Sequence, residues 1–98
     1  MNLSNSQKRY LRGLTHSINP VVMVGDKGLT ENVLEAIDEA LDQHELIKVK
    51  LRSDRDTRQS WIENINERFD AIEVHSIGQV ACFYRRNPKK AVIELPRR

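Results

Sequence analysis

The stretch Val21-Val22-Met23-Val24-Gly25-Asp26-Lys27-Gly28-Leu29-Thr30 holds the residues whose types and spacing point most clearly to chemistry. Two glycines three positions apart let the backbone turn sharply and leave no Cβ in the path of a ligand. Lys27 places a full positive charge at the tip. Thr30 is suited to N-cap a following helix, whose first N–H groups and positive dipole end then point back toward the turn. Backbone amides beside a lysine favour an anion such as phosphate. They supply no nucleophile and no proton-transfer group. Gly-x-x-Gly is a short pattern, and ordinary strand-to-helix connections also contain glycine, so the rest of the chain has to decide its meaning.

Other chemistry is sparse. His16, His44 and His75 are scattered, and none has a partner at metal-ligand spacing. His44 falls on an apolar helix face and His75 inside a strand, both places where histidine is usually structural. Cys82 and the serines lack an elbow or an activating neighbour, and the acids do not converge on a pocket. The chain therefore reads as a non-enzyme with no metal, no cofactor and no small-molecule substrate. A small enzyme holding a phosphorylated metabolite at the glycine turn is the weakest alternative. Tyr10, Trp61, Phe69, Phe83 and Tyr84 are the only aromatics, and no aromatic-basic strand of the base-reading kind is present. Nucleic acid, if bound, would be held through phosphates, with one stacking contact available from Tyr84 beside Arg85 and Arg86.

Seven elements are expected to position these residues. Ser4, with Gln7 three residues on, forms a capping box for a first helix. That helix sets Leu3, Tyr10, Leu11 and Leu14 on one side and Lys8, Arg9 and Arg12 on the other. Asn19-Pro20 breaks into a strand, Val21 to Val24, apolar throughout and so expected to be covered on both faces. A second helix runs from about Thr30 to His44, with Val33, Leu34, Ile37, Ala40 and Leu41 inward and its acids facing solvent. Glu45 to Arg52 alternates, with Ile47, Val49 and Leu51 toward a core and Lys48, Lys50 and Arg52 on a wet face. Those lysines suit RNA contact and equally suit protection of a sheet edge. Ser53-Asp54 caps a third helix to about Phe69, with Trp61 as a core anchor. Ala71 to Ile77, the Gly78-Gln79 turn and Val80 to Tyr84 make a hairpin. A basic loop from Arg85 to Lys90 follows, then an extended segment, Ala91 to Leu95, before Pro96-Arg97-Arg98.

The order α-β-α-β-α-β-β predicts an α/β fold: one small mixed sheet of about four strands with helices packed on it and parallel strands joined by right-handed crossovers. The 98 residues make a single domain, 1–98, since so short a chain cannot build two cores. Hydrophobic content of 39% with 31% charged residues is ordinary for a soluble domain, and no apolar run reaches membrane-spanning length. One cysteine and no apolar leader point to the reducing cytoplasm.

Net charge is only +2, but its distribution is uneven. Residues 1–28 carry four basic side chains against Asp26, residues 29–45 carry six acids and no Lys or Arg, and residues 46–98 carry twelve basic side chains against seven acids. A two-sided protein of this kind can orient on a polyanion. Asp42 and Glu45 oppose the dipole at the C-terminal end of the second helix, a cost read here as tolerated in water. The alternative function is a protein-interaction adaptor that works through that acidic face.

Taken together, Leu3-Ser4-x-x-Gln7-Lys8, Leu11-Arg12-Gly13-Leu14, Pro20-Val21-Val22, Gly25-Asp26-Lys27-Gly28-Leu29-Thr30, His44-Glu45-Leu46-Ile47-Lys48-Val49-Lys50, Ile77-Gly78 and Tyr84-Arg85 resemble the CRM domain (chloroplast RNA splicing and ribosome maturation), in its stand-alone bacterial YhbY-like form. The resemblance spans nearly the whole chain. It implies an RNA-binding domain similar in fold to the C-terminal domain of translation initiation factor three, with a backbone-clamping loop similar to that of KH domains. It also implies association with precursors of the large ribosomal subunit. The loop maps onto Gly25, Asp26, Lys27 and Gly28, where the Asp26 carboxylate must turn away from a phosphate or cap the local backbone. Lys8, Arg9 and Arg12 extend the basic surface, with Lys48, Lys50 and Arg52 as further RNA contacts. RNA is the expected partner, ribosomal RNA of the large subunit above all, bound by a monomer.

Overall fold

The computed structural model describes residues 2–97, so Met1 and Arg98 of the expected 1–98 domain lie outside it. The order is α1 (Asn5–Thr15), β1 (Pro20–Val24), α2 (Glu31–His44), β2 (Leu46–Leu51), α3 (Arg55–Phe69), β3 (Ile72–Ile77) and β4 (Val80–Tyr84). The four strands form one sheet in the order β1-β2-β4-β3. β1 and β2 are parallel, while β4 pairs antiparallel with both β2 and β3. The expected α/β class, element order and mixed sheet are all present.

Local chemistry starts each helix. Gln7 N–H donates to Ser4 Oγ at 3.1 Å, and Ser4 N–H donates to Gln7 Oε1 at 3.0 Å, closing the capping box. Val33 N–H donates to Thr30 Oγ1 at 3.2 Å. Thr57 N–H donates to Asp54 Oδ1 at 2.8 Å, and that bond holds the Asp54 carboxyl below the usual carboxylate range. Each cap satisfies an amide that the helix itself leaves without an acceptor.

One face of the sheet is covered by an apolar layer, and the other is covered in part. Ile37, Leu41, Ile62 and Ile65 of α2 and α3 pack with Val24, Val49, Leu51, Ala81 and Phe83, and Trp61 packs against this cluster as expected. On the other face Leu11 of α1 meets Leu46, Val74, Cys82 and Tyr84, joined by Ile93 and Leu95 from the C-terminal segment. Burial pushes the Cys82 thiol and the Tyr84 phenol upward from their ordinary values, so both stay protonated and neutral.

Several expectations are corrected here. Val21 is 51% and Met23 54% exposed, so β1 is not covered on both faces. β1 is an edge strand, and α1 packs chiefly over β2 and β3. β2 is interior, which removes sheet-edge protection as a role for its lysines. Its wet face is wet only in part, since Leu46 is buried beneath α1 and Lys48 is half-buried. His44 ends the apolar face of α2, one turn beyond Ala40 and Leu41, but is itself exposed, beside a groove lined by Leu14, Ile18, Val21 and Leu46. Ala91 to Leu95 forms no strand, although Ile93 and Leu95 still pack inward.

The largest departure is Glu45. It is fully buried, not one of the solvent-facing acids, and it ends α2 with φ 62° and ψ −41°. Its Oε1 accepts the N–H groups of Val92 and Ile93, each at 2.6 Å, and its Oε2 accepts Asn87 N–H at 2.6 Å. Asp38 and Asp42 are also engaged, by Arg85 at 2.9 and 2.8 Å. The acids that oppose the α2 dipole therefore receive the returning C-terminal segment, and water is not what offsets them.

Candidate nucleic-acid interface

The C-terminal ends of the parallel strands β1 and β2 define one end of the molecule. Gly25 to Gly28 leaves β1 there as a closed turn, with Gly28 N–H donating to Gly25 O at 2.9 Å. Gly28 has φ +70°, the left-handed region that an L side chain rarely adopts, so glycine is favoured there for backbone reasons. The indole of Trp61 lies beneath it. A Cβ at Gly28 would sit 3.7 Å from Trp61 Cζ2 and Nε1, an ordinary contact distance. The core anchor thus also supports the turn from below and leaves its outer side to solvent.

Thr30 follows as the N-cap of α2. Val33 N–H is taken by the Thr30 side chain and Leu34 N–H by Thr30 O, leaving the amides of Glu31 and Asn32 without an intrahelical acceptor. Lys27 and Asp26 are both exposed beside this helix end. Among the described residues Asp26 is exposed and caps no amide of the turn. Free amides, a dipole end and an ammonium group together make a local positive field suited to one or two phosphate oxygens.

Arg52 is tied to the same end, its N–H donating to Val24 O at 2.9 Å, and Leu51 N–H reaches Gln79 O of the hairpin turn at 2.6 Å. Lys50 is exposed and pairs with Met23, the residue two before the turn. Lys48 is one sheet row farther back, paired with Pro20 and Cys82. The fold therefore brings Gly25, Asp26, Lys27, Gly28, Lys50 and Arg52 to one end, with Lys48 behind them.

Lys8, Arg9 and Arg12 form a separate strip on α1. Arg9 and Arg12 are exposed and Lys8 is half-buried. Arg12 lies in the last turn, next to the His16 cap, whose ring is 6.1 Å from that of His75, level with Lys48 across the sheet. Arg12 is thus the member of the trio that the fold carries toward the loop end.

The expected stacking contact is withdrawn, and the arginine beside it is not free. Tyr84 is only 1% exposed and cannot stack on a base. Arg85 is held by Asp38 and Asp42 with its guanidinium over the Phe69 ring at 6.0 Å, so it is an internal brace. Sequence reasoning overlooked Met23 and Ile77 as surface residues. Ile77 is 70% exposed, and alternation alone could not reveal that its half of the sheet is left uncovered.

The sequence profile described as the CRS1 / YhbY (CRM) domain matches residues 3–85. A Haemophilus influenzae protein named "RNA-binding protein" is 48% identical over 97 residues, covering 98% of this chain and 97% of that one. The Bacillus subtilis protein named "Probable RNA-binding protein YqeI" is 33% identical over 95 residues, covering 96% of this chain and 99% of its own length. A Staphylococcus aureus protein solved in solution, and described as a suggested RNA-binding protein, superposes with a TM-score of 0.82 at 36% identity. That superposition covers 97% of this chain and all of the other. The profile runs through every element from α1 to β4, and relatives match end to end: the chain belongs to the CRS1/YhbY (CRM) domain family.

Proposed function

We propose that this protein is an RNA-binding protein that grips the backbone of large-subunit ribosomal RNA and assists assembly of that subunit, acting as a cytoplasmic monomer. The observation that carries the reading is the convergence of the Gly25–Gly28 turn, the α2 N-terminus, Lys27, Lys50 and Arg52 at one end of the sheet. The names borne by relatives of matching length support RNA as the ligand. The family resemblance supports the ribosomal precursor. The adaptor reading loses ground, because Asp38 and Asp42 of the acidic face already hold Arg85.

Filter binding with large-subunit ribosomal RNA over a salt series tests the proposal. Affinity should fall steeply as salt rises, by about a thousandfold or more between 50 and 200 mM if some six phosphates are contacted, and polyanions should compete. Glu35→Gln with Glu39→Gln, which spare the acids holding Arg85, should leave RNA affinity intact or slightly higher. Salt-insensitive binding would contradict a phosphate-driven grip. Loss of association with ribosomal particles in the acidic-face variant, with free RNA still bound, would restore the adaptor reading.

A further inference from the structure

The sheet face opposite α2 and α3 is only half covered. Leu46, Cys82 and Tyr84 are buried beneath α1 and the C-terminal segment. The half nearest the glycine turn is open. Across it runs one register row in which Met23 pairs with Lys50, Lys50 with Val80, and Val80 with Ile77. Neighbouring positions in β1, β2 and β4, namely Val24, Val49, Leu51 and Ala81, face the opposite layer, so Met23, Lys50 and Val80 share the open face. Met23 is 54% and Ile77 70% exposed, and Lys50 is exposed between them.

We infer that this row is a binding site for the bases of unpaired RNA whose backbone the Gly25–Gly28 turn holds. The inference rests on the RNA-binding reading above and narrows it to single-stranded or looped segments. Charge complementarity selects the occupant. Lys50 lies within the apolar row, Lys48 behind it and Arg52 beyond it, and Met23 leads by one residue and the turn to Lys27. A polyanion is drawn to such a surface, whereas an apolar protein segment would have to desolvate these cations.

Within the nucleic acids, the apolar residues choose between single and double strands. A duplex hides its base faces in the stack and offers this surface only phosphates and groove edges. Unpaired nucleotides have free π-faces that can lie on a thioether and on branched aliphatic side chains. Three strand spacings of roughly 4.8 Å put Met23 and Ile77 about 14 Å apart, room for about two unstacked bases. With no aromatic residue in the row, the contact tolerates any sequence and adds affinity more than specificity.

The test compares a short oligoadenylate with an RNA duplex of equal phosphate number. The parent should prefer the oligoadenylate. Met23→Thr combined with Ile77→Thr should weaken oligoadenylate binding about threefold to tenfold at every salt concentration, with an unchanged salt slope and unchanged duplex binding. Both positions are exposed and threonine suits a strand, so melting curves should match the parent. Independently of any variant, the methionine methyl signal of Met23 should move upfield under the ring current of a base when oligoadenylate is added, and should stay in place with duplex.

Unchanged oligoadenylate affinity in the double variant together with a stationary Met23 signal overturns the base site. If Lys27→Ala still weakens binding in that case, the backbone reading survives alone. If neither RNA binds even at low salt, the RNA reading itself falls and takes the site with it. A double variant that binds RNA normally yet no longer associates with ribosomal particles assigns this face to a protein and likewise overturns the inference.

Discussion

Glu45→Ala will lower the melting temperature by about 10 °C or more and free the chain beyond Tyr84 from the sheet. The carboxylate is fully buried and serves three backbone donors, Asn87, Val92 and Ile93 N–H, at 2.6 Å each. Charge-assisted bonds of this kind cost roughly 1.5–3 kcal/mol each when the acceptor is removed. Water can reach the partly exposed segment and replace part of that. Glu45 also holds a positive φ, a strain of order 1–3 kcal/mol that the substitution does not relieve. The net loss is about 2–4 kcal/mol, and each kcal/mol moves a domain of this size by roughly 4–8 °C. Glu45→Gln keeps one acceptor oxygen but turns an NH₂ toward a donor, so it should fall between parent and alanine. Thermal melts and amide exchange at Asn87, Val92 and Ile93 read the effect. A Glu45→Ala protein melting within about 2 °C of the parent would show that the carboxylate does not hold the segment.

This residue also marks where sequence reading ends. Ser4, Thr30 and Asp54 are legible as helix caps because each acts on amides two or three residues away. The glycine turn is legible for the same reason. Glu45 carries a local clue, an acid at the wrong end of a helix dipole, but its partners lie more than forty residues onward, in a segment with no regular structure. The exposure of Val21 and Met23 depends on strand order, which places β1 at the edge, and on α1 packing chiefly over β2 and β3. Tyr84 beside two arginines reads as a stacking platform until the C-terminal segment is seen packing across it. Local rules give the elements and the loop; long-range closure decides which charges remain free.

Gly28→Asp will cut RNA affinity by about tenfold to a hundredfold, well beyond the effect of Lys27→Ala. The aspartate carboxylate would occupy the mouth of α2, where it competes with phosphate for the same amides and the same dipole end. Displacing charge-assisted bonds worth about 1.5–3 kcal/mol accounts for the range. Its Cβ meets no obstacle, since Trp61 lies at ordinary contact distance, but φ +70° costs an L residue about 1 kcal/mol or more. Gly28→Asn is the control: asparagine tolerates the left-handed region and adds no charge, so it should melt like Gly28→Asp or higher while keeping most of the affinity. Lys27→Ala removes a single charge, lowering affinity across RNA sequences and reducing the salt slope by about one phosphate. Equal binding by Gly28→Asp and the parent, both folded, would return the turn to the status of a plain connection.

The most direct measurement is an amide NMR titration of the intact protein with a ribosomal RNA fragment, because it asks every backbone position at once which surface meets the ligand. Shifts are predicted to concentrate at Gly25, Asp26, Lys27 and Gly28, at Glu31 and Asn32 of the α2 first turn, and at Lys50 and Arg52. Weaker changes should extend through Lys48 to Arg12, and Glu35 and Glu39 should stay silent. Shifts centred on Glu35 and Glu39, with the glycine turn unmoved at saturating RNA, would contradict the account.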